Sequence, residues 1–324
     1  ITAKNAISKD DINSIARKVI KDIGYIHPHK GFDFNCDIEN YLHQQEGALN
    51  MNMGAGDQGL MFGYACTQTK QLMPIPIELS HKLLMKLAAL RKDGTLSELL
   101  PDAKSQVTFK FKNRLPVNLQ TIVISTHHMP VDEKGFTNLK DKIMELVIKP
   151  SVEEIESQSE HYFETADCKI MINPLGMWED GGPAADSGLT GRKIIVDTYG
   201  GWAQHGGGAF SGKDATKVDR SAAYMARHIA KSVVASGLAT ECLLQFSFVI
   251  GEHQPVSLMV DTFGSGKYAD RQIENMIKQN FDLTVKGIID YLDLRKPVFS
   301  ATAAYGHFGR VDQEFSWEKV KELV

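Results

Sequence analysis

The sequence predicts an α+β protein, built of layers in which helices cover one face of a sheet. Apolar residues at helical spacing alternate along the chain with short runs of strand-like pattern. The two kinds recur in similar proportion, mostly without the strict strand–helix–strand crossovers of a single parallel sheet. A composition of 43% apolar and 23% charged residues over 324 positions supplies a substantial core for two or three domains.

The first helix opens at Ser8, a good N-cap residue, with Asp10 and Asp11 in the favoured first turn. Ile12, Ile15, Ala16, Val19, Ile20 and Ile23 make one apolar stripe, and Gly24 suits its stop. A turn-rich stretch follows over 27–37. Residues 44–59 are polar and glycine-bearing, without helical period, and predict a mobile loop. A second helix is expected over 78–92, ending at Asp93-Gly94. Val107, Phe109 and Phe111 alternate with polar residues as in a half-buried strand, with 121–125 as its neighbour. A helix over 138–149 and a short strand over 169–172 come next. Glycine is dense over 180–212, interrupted by an expected strand at Ile194-Ile195-Val196. A helix over 220–235, strands over 243–250 and 257–262, and helices starting near Asp270 and Val285 complete the set. No internal repeat stands out.

The formal charge of −4 gives no field that attracts nucleic acid, so a polyanion would need local basic residues. No apolar run approaches the roughly 18 residues that cross a bilayer, so no membrane partner is expected. Cys36, Cys66, Cys168 and Cys242 lack metal-ligand spacing and read as thiols of a reducing cytoplasm.

The most unusual feature is Gly206-Gly207-Gly208-Ala209-Phe210-Ser211-Gly212-Lys213-Asp214. Glycines allow close backbone approach to a phosphate, successive N–H groups form an anion nest, and Lys213 adds a mobile positive charge. From Gly207 the pattern nearly matches Gly-x-x-x-x-Gly-Lys, but Asp214 stands where Ser or Thr would bind Mg²⁺. A flexible turn with an exposed lysine explains the same residues. Asp219, beside Lys217 at the start of the next helix, suits either a Mg²⁺ ligand or a helix cap. Arg192 and Lys193 follow glycines just before the expected strand, as a phosphate grip or a solvated basic pair. Asp102-Ala103-Lys104 sets an acceptor and a cation ahead of a strand, or forms a surface turn. Asp57, among Gly54, Gly56 and Gly59, suits an ammonium group, a ribose hydroxyl or a plain turn. Together these clusters suggest a site for a polyphosphate, a divalent metal and a small zwitterion.

The stretches GAGDQGLMFGYA (54–65) and GGGAFSGKD (206–214) resemble the two signatures of S-adenosylmethionine synthetases. RKDGTL (91–96), PDAKSQV (101–107), DSGLTGRKIIVDTYGG (186–201), KVDRSAAY (217–224) and AYGHFGR (304–310) extend the resemblance in order over nearly the whole chain. It implies three similar α+β domains about an approximate threefold axis: 1–47 as the remainder of the first, 54–183 as the central and 184–324 as the C-terminal domain. It further implies cytoplasmic homodimers with active sites at the interface, often paired into tetramers. The implied reaction joins L-methionine to ATP and hydrolyses the released triphosphate, with Mg²⁺ and K⁺ as cofactors. By the same resemblance Lys104, Arg192 and Lys213 are catalytic, Arg192 chiefly in hydrolysis. Asp102, Ala103, Met177, Trp178, Asp186, Lys193, Ala209 and Ile250 join them in binding ATP. Gln45, Asp57, Asp186 and Lys217 bind methionine, and Asp219 serves the metal.

Three departures qualify the resemblance. The family's opening His-Pro-Asp-Lys motif has no counterpart, since Ile1 aligns inside the first domain; His27-Pro28-His29-Lys30 reads as a surface turn. After Gln45 the loop that covers the site in relatives is shortened. Both segments are expected to belong to the natural protein and to be missing from this sequence, a natural deletion being the alternative. Met177-Trp178 replaces the usual Arg-Phe, keeping a ring to stack on adenine but losing a charge. A catalytically inactive or regulatory subunit is the alternative function, and an unrelated polyphosphate-binding kinase or phosphatase a weaker third.

Overall fold

The computed structural model describes residues 8–42 and 54–323. These form two compact units: 54–77 with 190–323, and 8–42 with 78–189. Both mix small sheets with helices, which is the expected α+β class.

In the first unit, β1 (Gly59–Cys66), β5 (Glu241–Phe248) and β6 (Ser257–Asp261) form an antiparallel sheet in the order β1-β5-β6. Gly59 pairs with Phe248 and Cys66 with Glu241. Met61 to Cys66 are buried on both faces, which explains why this strand shows no alternation. The helix α5 (Val218–Ala235) crosses the sheet as its central packing element, and almost every side chain on it is buried. Its alanines permit close approach: a Cβ built on Gly63 of β1 would lie 2.0 Å from the Ala226 carbonyl carbon. Gly63→Ala is therefore expected to cost at least about 1–3 kcal/mol, because the obstacle is backbone rather than a movable side chain. A denaturant titration checks this, and an unchanged midpoint would refute it. Helices α6 (Asp270–Asn280) and α7 (Val285–Tyr291) start where expected and add Ile273, Ile277, Ile288 and Ile289 to the core.

In the second unit, β2 (Leu99–Lys112) and β3 (Leu115–His128) make a long hairpin, and β4 (Lys169–Ile172) runs parallel to β3. Asn113 and Arg114, at φ 51° and 64°, form the two-residue turn that joins the hairpin. Helix α1 (Lys9–Ile23) has the expected caps, with Ser8 accepting from the Asp11 N–H and Gly24 left-handed. Its apolar stripe stays exposed, however, at Ile15, Val19 and Ile23. Helix α2 (Ile75–Lys92) begins in the first unit and contributes Leu79, Leu83 and Leu87 to the core of the second. The helix expected over 138–149 is longer: α3 (Glu133–Ile143) passes through a π-helical turn (Met144–Ile148) into α4 (Lys149–Gln158). Pro150, which has no N–H to give, removes one rung from this continuous helix at the junction where the π segment passes into α4.

One expected strand is corrected. Ile194, Ile195 and Val196 lie in consecutive turns, fixed by Asp197 N–H to Lys193 O (2.9 Å), Thr198 Oγ1 to Ile194 O (2.9 Å) and Gly200 N–H to Ile195 O (2.9 Å). Pro28–Lys30 is a short 3₁₀ turn closed by Gly31, as expected. Among the described residues no helix is long and apolar enough to cross a membrane.

Candidate functional site

In the first unit the glycine-rich loop runs into the N-terminus of α5. Gly206 lies so close to β1 that a Cβ there would stand 1.6 Å from the Leu60 carbonyl oxygen, and one on Gly208 would stand 2.3 Å from Asp219 Oδ1. At Gly206 the obstacle is backbone and only glycine fits, which seats the loop against β1. At Gly208 the obstacle is the Asp219 side chain, so a larger residue there would displace the carboxylate that the loop backbone approaches. The other carboxylate oxygen, Oδ2, accepts from Lys213 Nζ at 2.6 Å. Lys213 is thus an ion-paired cation rather than the mobile charge expected. Asp219 is likewise no cap: Lys217 holds the N-cap position, and Asp219 lies in the first turn, where the helix dipole favours its charge. Lys217 pairs with Asp214 at 2.8 Å. Burial would raise the Asp214 carboxyl, but Lys217 and the Thr216 hydrogen bonds hold it down at about 2.

The segment before Arg192 meets the same loop. A Cβ on Gly191 would stand 2.5 Å from the Ala209 Cβ, and one on Gly212 would stand 3.9 Å from Thr190 Cγ2. Arg192 and Lys193 are exposed where the chain leaves this contact. Asp57 is exposed just ahead of β1, its Oδ1 accepting from the Gln58 N–H at 2.8 Å. Ile250, expected to line the nucleotide, is 53% exposed just past the end of β5. The Gly251 N–H donates to Ala55 O at 2.8 Å, which brings the Asp57 and Ile250 segments together at one end of the sheet. Gln45 lies outside the described residues.

The second unit gathers another cluster. Asp102, Ala103 and Lys104 lie inside β2 rather than ahead of a strand, paired through Ala103↔Thr126 and Lys104↔Ser125 after a register shift. Asp102 Oδ2 accepts from the Gly182 N–H at 2.9 Å, and the Asp186 N–H donates to Gly182 O at 3.0 Å. Lys104 Nζ stands 5.7 Å from the Trp178 ring, within cation–π range. The Trp178 indole N–H donates to Asp180 O at 2.7 Å, and its backbone N–H donates to His128 Nε2 at 3.0 Å. Met177 is exposed beside it.

Sequence reasoning missed the histidines of both clusters. His127 packs at 6.0 Å from Trp178, with Nε2 bonded to Glu179 O at 3.0 Å, and burial lowers its pKa. His205 stacks on Phe210 and accepts from the Gly207 N–H through Nδ1 at 2.8 Å; burial lowers its pKa against the pull of Asp219. The only available signal for His205 was its place directly before three glycines.

Among the described residues no three His, Cys, Asp or Glu side chains gather as a metal-binding set. Asp219 alone fits the mode in which Mg²⁺ is held by one carboxylate and by substrate phosphates.

Two family descriptions match the chain in succession. The model for the S-adenosylmethionine synthetase central domain matches residues 52–178, and that for the C-terminal domain matches residues 180–319. Together they span most of the sequence, in the order of its motifs, and the chain belongs to the S-adenosylmethionine synthetase family.

Proposed function

We propose that this protein is a methionine adenosyltransferase. The methionine sulfur attacks C5′ of ATP; the S–C bond forms as the C5′–O bond breaks, giving S-adenosylmethionine and triphosphate. Water then cleaves the triphosphate into pyrophosphate and phosphate. The observation that carries this reading is the glycine-rich loop, seated by Gly206 and Gly208 so that Lys213 and Asp219 meet at the start of α5 in a chain of this family.

Displacement at carbon needs an aligned nucleophile and stabilisation of the leaving group's charge more than it needs acid–base help. Lys213 suits that second task, and so do Lys104, Arg192 and Lys193 by the family resemblance. Lys217 and Asp57 take the charged groups of methionine, with Gln45 and Asp186. Asp102, Ala103, Trp178, Met177, Ala209 and Ile250 take the nucleoside end. Asp219 would hold Mg²⁺, which when bound would neutralise charge at the phosphates. Lys213 and Asp219 neutralise each other in the structure, so a phosphate and a cation arriving together would replace that pair with two matched contacts. K⁺ is proposed as a second cofactor, and a cytoplasmic homodimer or tetramer as the working form.

Purified protein given ATP, L-methionine, Mg²⁺ and K⁺ is expected to yield S-adenosylmethionine by mass spectrometry, with pyrophosphate and phosphate in equal amounts. ATP binding without product would overturn the reading for this chain and identify a truncated or regulatory form that binds nucleotide.

A further inference from the structure

The second half of the glycine-rich loop, Phe210 to Lys213, is tied to the core through side chains that lie outside the ligand-binding set. Arg220 is 3% exposed, one residue beyond Asp219 on α5, and each of its nitrogens is engaged. One terminal nitrogen donates to the backbone carbonyl of Lys213 at 2.6 Å, the other to Thr302 Oγ1 at 2.9 Å, and Nε to the Tyr224 hydroxyl at 3.0 Å. The guanidinium also stands 3.7 Å from the Phe299 ring centroid, so the group is clamped from every side.

These bonds lead into a chain of hydrogen bonds that reaches back to the loop. Tyr224 accepts from Arg220, which leaves its own hydrogen available to His307 Nδ1, 2.7 Å away. The His307 proton then sits on Nε2, which faces Ser211 Oγ of the loop at 3.4 Å. His307 and Tyr224 are fully buried. Burial, with Arg220 and Arg310 nearby, pushes His307 down to about 3, so it is neutral around neutral pH. Phe210 seals the arrangement, with its ring edge-on to His307 at 5.1 Å and to Tyr224 at 5.7 Å.

We propose that Arg220, Tyr224 and His307 are positioning residues that anchor residues 210–213, holding Lys213 ready for a polyphosphate at the start of α5. The anchor stands on the hydrogen bonds themselves; its consequence for a polyphosphate rests on the function proposed above. A lysine at the end of a glycine-rich loop would otherwise lose conformational freedom on binding. Here Arg220 fixes its backbone from the core side, leaving its ammonium group on the ligand side with Asp219.

Tyr224→Phe removes one hydroxyl from the relay while keeping the ring that stacks on Trp317. Arg220→Lys keeps the charge but cannot reach three partners at once. Hydrogen exchange is read over 210–214, with β5 as internal control, and binding of inorganic tripolyphosphate with Mg²⁺ is measured by calorimetry. Tyr224→Phe is expected to speed exchange over 210–214 and weaken tripolyphosphate binding, each by about tenfold, with β5 unchanged. Arg220→Lys should show the larger loss in both. Exchange and binding unchanged in both variants would overturn the proposal, and so would faster exchange spread equally through β5, which marks a merely structural role. Faster exchange confined to the loop, in a protein whose wild type binds no tripolyphosphate, would support the anchor and overturn the polyphosphate reading of the site instead.

Discussion

Lys213→Ala is expected to cut S-adenosylmethionine formation by about 10²–10³-fold, the loss typical of removing one group aimed at developing charge in a transition state. The leaving triphosphate is the most highly charged species in the proposed reaction, and Lys213 is the cation the glycine-rich loop holds at the N-terminus of α5. The same substitution should move global stability by less than about 1 kcal/mol, because the Lys213–Asp219 pair is partly exposed and screened. Turnover measured beside a denaturant curve separates the two effects. Lys213→Arg retains the charge but spreads it over a planar fork, and should recover only part of the rate. Wild-type turnover in Lys213→Ala would remove the lysine from the chemistry and, with it, the main support for the site.

Local chemistry made part of this structure legible in the sequence. Ser8 and Gly24 bounded α1 because capping is decided by the capping residue and its immediate neighbours. The strand at 169–172 was equally plain, a short apolar run stopped by Asn173 and Pro174. The run Ile194-Ile195-Val196 misled because β-branched residues suit a strand wherever one is possible. Here Thr198 and the left-handed Gly200 and Gly201 fold the chain back on itself, and Ile195 and Val196 remain half exposed. The pairing of Gly59 with Phe248 left no local mark, since alternation is lost when both faces of a strand are covered.

The site follows the same division. Glycines beside Lys213 suggested an anion site through residue type alone, and what the structure adds is the seating of that loop and the pairing of Lys213 with Asp219. Arg220, Tyr224 and His307 lie within the family-like motifs, but residue type alone gives them no role, because their contacts depend on burial and on partners up to 83 positions away. The ring nitrogens of His205 and His127 are engaged by backbone partners, which a sequence does not display.

Glu318→Gln is expected to destabilise the first unit by about 3–5 kcal/mol, because it leaves the Arg227 guanidinium buried without a counter-charge. Arg227 is fully buried, and its bonds to Glu318 measure 3.1 Å and 3.0 Å. Lys231 reaches the same carboxylate at 2.8 Å. Burial by itself would raise the Glu318 carboxyl, but Arg227 and Lys231 together hold it below the ordinary glutamate value of 4.5. A carboxyl whose folded pKa is depressed stabilises fully above its unfolded value, and the contribution fades as pH falls through the folded value. The gap between wild type and Glu318→Gln should therefore be constant from neutral pH down to about 4.5 and narrow below it. Denaturant curves at a series of pH values read this directly, and a gap that widened on acidification would refute the assignment. Replacing both partners by apolar residues, often harmless for a buried pair, should fail here. Arg227 also donates to the carbonyls of Tyr64, Leu72 and Gln71, each at 2.8 Å, and Glu318 accepts from the Gly309 N–H at 2.8 Å. An apolar pair would leave those backbone groups without these partners, at about 1–3 kcal/mol for each one left buried. The ion pair is thus the means by which β1, the turn at 71–72 and the segment after His307 satisfy their backbone around α5, and apolar packing has no substitute for that.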